Sequence, residues 1–133
     1  CILATSCLIM ILFMVTNNSL KILSIESLNG QWIGKHKNYE IILAINKDNK
    51  CSLEFRITSS KEVEKFNGNC SIDNSKKPYS FIMTNIIELN TSLYSIVALR
   101  NNNIIHMSEF STKWRLRPVA LTHTNTIIFR RYI

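Results

Sequence analysis

Glycine and proline are scarce: the chain of 133 residues holds three of the first and two of the second. So small a supply excludes collagen-like repeats, glycine-rich phosphate loops in number and flexible linkers between modules. Charged residues make up only 19%, too few for a disordered polyelectrolyte. No C-x-x-C pair occurs, which removes the common redox and zinc frameworks. P-loop, dinucleotide-fingerprint and calcium-loop motifs are missing as well. His36, His106 and His123 fall on separate segments without metal-ligand spacing. Ser108 and His106 are two apart on one strand, with no carboxylate placed to orient the histidine. Glu62, Glu64 and Asp73 read as solvated charges rather than as a glycosidase pair. The expectation is a chain with no catalytic residues, no metal and no cofactor.

What is present is enough apolar material for a core. A hydrophobic fraction of 46% suits one small globular domain. Lys and Arg number 16 against 9 Asp and Glu, a net charge of +7 that favours anionic partners without naming one.

The first segment differs from the rest. Ile2 to Val15 is almost wholly apolar and uncharged, matching the ~7 to 15 residues of a signal-peptide core and falling short of the about 20 that span a membrane. Thr16-Asn17-Asn18-Ser19 follows, small and polar, placing cleavage between about Val15 and Ser24. Residues 1–16 are therefore read as a signal peptide or N-terminal anchor, 17–27 as a lead-in and 28–133 as the folded domain. The expected location is secreted or periplasmic; retention of the segment would instead leave the chain anchored in a membrane. Removing it takes Cys1 and Cys7 away and leaves Cys51 and Cys70, an even pair that in an oxidising compartment reads as a disulfide. With Ser60 and Lys61 at a hairpin tip, the two cysteines fall directly opposite each other on neighbouring strands.

From Gly30 onward the apolar pattern has a period of two, interrupted by polar clusters. Strands are expected over Gln31 to His36, Tyr39 to Ile45, Cys51 to Ile57, Val63 to Ile72, Tyr79 to Asn85, Leu93 to Leu99, Ile104 to Phe110 and Thr126 to Arg131. Thr112 to Arg117 reads as an extension of the seventh. Asn101-Asn102-Asn103 supplies a tight turn, since asparagine tolerates the left-handed region. About eight strands in sequential hairpins give an all-β antiparallel up-and-down barrel, whose closure removes sticky edges; a two-sheet sandwich is the alternative. Leu20 to Leu28 is a candidate short helix or turn that plugs one end.

Gly30-Gln31-Trp32, at the entry to the first strand of this meander, resembles the G-x-W opening of lipocalins and lipocalin-like domains. The resemblance implies that Trp32 lies across the closed end of the barrel with a basic residue of the last strand packed on it. Arg131, which shares parity with Ile127 and Phe129, is the matching residue; such a cation–π contact is worth roughly 0.5 to 2 kcal/mol. The C-terminal half is similar to small bacterial lipocalin-like domains of unknown function, in the order tyrosine-containing strand, turn, apolar strand, Arg117-Pro118 and a final strand ending in basic residues. The T-D-Y motif and second conserved loop of lipocalins proper are missing. The likeness spans most of Leu28 to Arg131 and implies fold rather than activity.

Two kinds of function follow as expectations. Ile41, Leu43, Leu53, Phe55, Phe66, Phe81 and Met83 share the inward parity and are candidate lining for a small apolar or amphipathic ligand. The same residues also serve as plain core, because an eight-stranded barrel is just wide enough either to fill or to hold one small ligand. Alternatively a filled barrel presents Lys113, Arg115 and Arg117 to an anionic surface or acidic protein. In a strand these cations would share one side, with Trp114 and Leu116 on the other; a solvated outer face over a buried Trp114 explains the pattern equally. Nucleic acid, which would need exposed aromatic stacking platforms, is not expected as a partner in a secreted location, and a membrane is a partner only if the N-terminal segment is kept. Asn17, Asn69 and Asn90 head N-x-S triplets, among fifteen asparagines.

Overall fold

The computed structural model describes residues 23–132. The apolar segment of residues 1–16 and the start of the lead-in lie outside the described residues. Among the described residues, no helix is long and apolar enough to cross a membrane.

Alternating burial follows alternating sequence. Along Tyr39–Ile45, Ile41, Leu43 and Ile45 are buried while Glu40, Ile42 and Ala44 are only partly so. Eight strands carry this pattern: β1 (Gly30–His36), β2 (Tyr39–Ile45), β3 (Lys50–Ile57), β4 (Val63–Asp73), β5 (Tyr79–Thr84), β6 (Leu93–Asn101), β7 (Ile104–Ser108) and β8 (Thr126–Tyr132). Each pairs antiparallel with the next, and β8 returns to β1, closing the barrel. The fold is thus the all-β up-and-down barrel that the period of two predicts, and not a sandwich. Trp32, Leu43, Leu53, Phe81, Met83, Ile105, Met107 and Phe129 fill its interior as one continuous cluster. Full burial of side chains this large contributes roughly 1.5 to 3 kcal/mol each. Ser95 and Ser108, also buried, satisfy each other: their hydroxyls lie 3.0 Å apart, and Ser95 donates to the Ser108 carbonyl at 2.8 Å.

Tight turns form with almost no glycine because asparagine and lysine take its place. Lys37, Asn49, Lys61, Asn85 and Asn90 adopt positive φ. Asn46 Oδ1 accepts from the backbone N–H of Asp48 and Lys50, and Asn101 Oδ1 from that of Asn103, the local bonding that makes asparagine a turn former. Gly68 is needed for a different reason. A Cβ there would lie 2.4 Å from the carbonyl oxygen of Thr84, so any larger residue would push β5 off β4.

The β3–β4 register differs from the expected one by two residues. Cys51 pairs with Gly68, not with Cys70. The turn is tied by the Ile57 and Lys61 N–H groups to the Glu62 and Ile57 carbonyls, which moves its tip to Ser59 and Ser60. Cys70 therefore sits diagonally from Cys51, and the two still form a disulfide, with Cα atoms 5.9 Å apart. Closing a loop with a sequence separation of 19 contributes about 3 kcal/mol in the chain-entropy model. The disulfide is consistent with an extracytoplasmic compartment.

A second difference lies after β7. The expected strand over Thr112 to Arg117 is a single 3-10 turn, Trp114–Leu116. Apart from one bridge between Ser111 and Tyr94, no strand position is open here, since β8 occupies the edge of β7. Pro118 also lacks the N–H a ladder needs.

One barrel end is sealed by the lead-in. Ile25–Leu28 forms a 3-10 turn whose Ile25 and Leu28 are buried together with Leu23. Trp32, fully buried, donates its indole N–H to the Leu28 carbonyl at 2.9 Å. Arg131 is its direct partner across the β1–β8 seam, with the guanidinium 4.2 Å from the ring centroid. The same guanidinium donates to the carbonyls of Asn29, Ser27 and Asn102 at 2.6, 3.0 and 3.1 Å. One cation thus ties the lead-in, the β6–β7 turn and the last strand to the tryptophan. Gly30 at φ +120 allows this, because a Cβ there would stand 3.3 Å from Arg131 Nη1. Replacing Arg131 by Met keeps the stem and removes the charge and its bonds. A loss of about 2 to 4 kcal/mol is expected, read as the shift in the urea unfolding midpoint.

Candidate functional site

The opposite end of the barrel is open. There Ile41, Phe55, Phe66, Phe110 and Ile127 form an apolar floor, and His36, Lys37, Tyr39, Glu64 and Glu109 stand around it, bounding a cup of about 340 Å³. The floor is set by aromatic edge-to-face contacts. Phe55 meets Tyr39, Phe66 and Phe110 at centroid distances of 6.1, 6.0 and 6.4 Å, and Phe110 meets Phe81 at 6.3 Å. These geometries are favoured by the ring quadrupoles and hold the rings in place without closing over the cup. Phe110 follows β7 and turns inward between Phe55 and Phe81, so the depth of the cup ends at its ring.

The rim carries one polar knot. His36 Nε2 donates to Glu109 Oε1 at 2.5 Å, and Lys37 Nζ lies 2.9 Å from the same oxygen. The His36 bond, followed by that of Lys37, holds the Glu109 carboxyl below the ordinary glutamate range. A carboxylate fixed between an imidazole and an ammonium leaves its second oxygen free to accept from a bound group.

Of the seven expected lining residues, Ile41, Phe55 and Phe66 border the cup. Leu43, Leu53, Phe81 and Met83 lie below it, each with no exposed surface, as parts of the packed interior. The barrel width admits both outcomes, and the interior side chains together with Phe110 take the space a deep cavity would use.

Lys113, Arg115 and Arg117 do not form a stripe on a strand face, because the segment is a 3-10 turn. Trp114 is not buried beneath them either; it is 45% exposed and packs edge-on against Tyr94 at 5.2 Å. Arg117 folds back over the Trp114 ring at 3.5 Å and donates to the Trp114 carbonyl at 2.8 Å. His106 faces Arg100, which donates to its Nδ1 at 3.2 Å, while Ser108 is bonded to Ser95. Among the described residues, no group of three or more His, Cys, Asp or Glu side chains converges on a metal-sized site. Of the N-x-S asparagines, Asn69 is paired within β4 beside the bridged Cys70, Asn90 sits exposed in the β5–β6 turn, and Asn17 lies outside the described residues.

A broader groove of about 660 Å³ crosses the outer face near the disulfide, lined by Gln31, Ala44, Ser52, Asn67 and Ile87 among others. It holds no aromatic side chain and one cation, Lys50, so it offers little to orient a ligand.

His36, Lys37, Glu109 and Phe110 escape a reading confined to single strands. The signal for His36 is its parity with Trp32, which turns it inward at the far end of β1. The signal for Glu109 emerges only from the registers of β1 with β8 and β8 with β7, which set Ile127 between His36 and the row of Met107.

No family model, curated protein or solved structure matches the chain. The class defined by the fold is therefore that of closed eight-stranded antiparallel barrels, with one end sealed by a tryptophan and an arginine.

Glu109 supplies a pH signature. Its carboxyl titrates lower in the folded chain than in the unfolded one, so its contribution is complete above the ordinary value of 4.5 and disappears as pH falls through the lower, folded value. With the side chain 40% exposed, solvent screening limits the gain to below ~1 kcal/mol. Glu109→Gln is expected to lose this gain near neutrality, and the gap to the parent is expected to narrow steadily as pH falls below 4.5, as measured by chemical denaturation along a pH series.

Proposed function

We propose that this protein is a lipocalin-like binding barrel that takes a small amphipathic ligand in its open cup. The observation that carries the reading is an apolar aromatic floor beneath a single polar knot, at the one barrel end the lead-in does not seal. An apolar body would lie on Phe55, Phe66 and Phe110, replacing water at roughly 25 cal/mol per Å². A hydrogen-bonding head would reach His36, Lys37 and the free oxygen of Glu109, which fixes orientation. The G-x-W entry, the arginine on the last strand and sequential strand order all support the lipocalin-like assignment.

Size narrows the ligand. A cup of about 340 Å³ stands near the lower limit of about 300 to 1,000 Å³ for small-molecule sites, which fits a single ring or a short alkyl chain and not a haem or a retinoid. Secretion accords with the disulfide and with the apolar first segment, and no catalytic group is required for the role.

The test is titration of a panel of short-chain fatty acids, alkyl amines and indole derivatives by calorimetry, against the parent and Phe66→Trp, which fills the cup. Saturable binding by the parent that weakens about tenfold or more in the filled variant is the expected result; one factor of ten corresponds to ~1.4 kcal/mol. No saturable binding by the parent, or equal binding by both, would refute the reading.

A further inference from the structure

A second groove, on the outer face of β5 and β6, lies apart from the cup. Asp73, Ser75, Lys76, Lys77 and Pro78 form one wall; Trp114, Arg117, Pro118 and Val119 form the other, over a floor of Ser80 and Ile96, enclosing about 420 Å³. Three cations and one exposed indole converge here from loops far apart in sequence. We propose that this groove binds a sulfate or phosphate ester carried on a sugar-sized ring.

The cations are available. Lys76, Lys77 and Arg117 form no ion pair with a carboxylate among the described residues. The one carboxylate in the lining, Asp73, is bonded by Ser75, whose hydroxyl and backbone N–H donate to it at 2.6 and 3.0 Å; these bonds, with a smaller pull from Lys76, hold its carboxyl below the ordinary range. Lys113 and Arg115 on the same turn add to the positive field without lining the groove.

The groove is also held in shape. Arg117 is pinned by its stack on Trp114 and its bond to the Trp114 carbonyl, so one guanidinium edge is committed and the rest remains for an oxyanion, in the fork geometry that suits one. Both prolines of the chain, Pro78 and Pro118, stand in its walls, where their fixed φ limits the loops' freedom before binding. One indole face is covered by Arg117, and the exposed remainder of the half-exposed ring adds apolar surface beside the guanidinium for the C–H surface of a sugar ring.

Other anions fit less well. An acidic peptide bound as an added strand needs a free sheet edge, and the closed barrel has none. A nucleic-acid strand needs successive stacking platforms along a charged path, whereas Trp114 is the one aromatic side chain in this groove. A single ring bearing an ester matches one indole and three clustered cations.

The test uses the full chain, with binding of a heparin-derived sulfated tetrasaccharide followed by tryptophan fluorescence and calorimetry. Inositol hexakisphosphate and inorganic sulfate serve as phosphate-ester and bare-anion probes. Because Trp32 is fully buried at the sealed end and Trp114 is exposed, a fluorescence response is expected from the parent and not from Trp114→Phe. Affinity is expected to fall about tenfold or more between 50 and 300 mM salt, and by a similar factor in Lys76→Ser/Lys77→Ser and in Arg117→Ala. Lys113→Ser/Arg115→Ser should change it less than about threefold, as for distant screened charges. Tighter binding of the tetrasaccharide assigns a sulfate ester, and tighter binding of the inositol phosphate assigns a phosphate ester. Unaltered binding in the Lys76/Lys77 variant would overturn the proposal. So would inorganic sulfate, an acidic peptide or a single-stranded oligonucleotide binding as tightly as either ester. Loss of binding in the cup-filled Phe66→Trp variant would likewise contradict it, which separates this test from that of the cup.

Discussion

The guanidinium of Arg131 is the point at which the two ends of the chain become one structure. It covers the indole of Trp32, bridges β8 to β1 and donates to the carbonyls of the lead-in. A barrel needs its last strand to find its first, the contact most distant in sequence and the most costly in loop entropy. Here that seam is reinforced by a cation stacked on a buried aromatic ring and bonded three ways. The disulfide joins the start of β3 to the end part of β4, so a second cross-link acts in the half of the barrel where Trp32 lies. Among the described residues the open half has no such tie and depends on edge-to-face rings and the Glu109 knot. Opening motions should therefore favour the mouth, where a ligand must enter.

The aromatic residues decide how much space remains. Phe81 and Phe129 are buried in the interior, and Phe110 comes in from the chain after β7 to meet Phe81 and Phe55. Close packing at this width leaves room only above Phe110. A site so shallow gains its affinity from ring faces and its selectivity from His36, Lys37 and Glu109. The outer groove relies on other forces, with Arg117 and two lysines providing long-range attraction and Trp114 the short-range contact.

Much of this was legible in the residues, and the failures have identifiable causes. Strict alternation in Tyr39–Ile45 and Cys51 to Ile57 marked inward and outward faces, because a strand has no other way to bury one side. The pairing of Trp32 with Arg131 followed from a family resemblance and from parity. The β3–β4 register did not, since it depends on which serine occupies the hairpin tip. Alternating charge in Lys113 to Arg117 imitated a strand where the closed barrel had no position for one. Parity within a strand also said nothing of Glu109, which meets His36 only when three strands are aligned. The scarce residues were more informative than their number suggested: Gly30 gives room to Arg131, Gly68 lets β4 approach Thr84, and both prolines wall the outer groove.

The asymmetry between a sealed end and a binding end is tested most directly by amide and methyl chemical-shift mapping during titration with a small amphipathic ligand. Perturbations confined to His36, Lys37, Ile41, Phe55, Phe66, Glu109, Phe110 and Ile127, with the Trp32 indole signal unmoved, are the expected result. Perturbations centred on Trp32, Leu28 and Arg131, or none at saturating ligand, would contradict it.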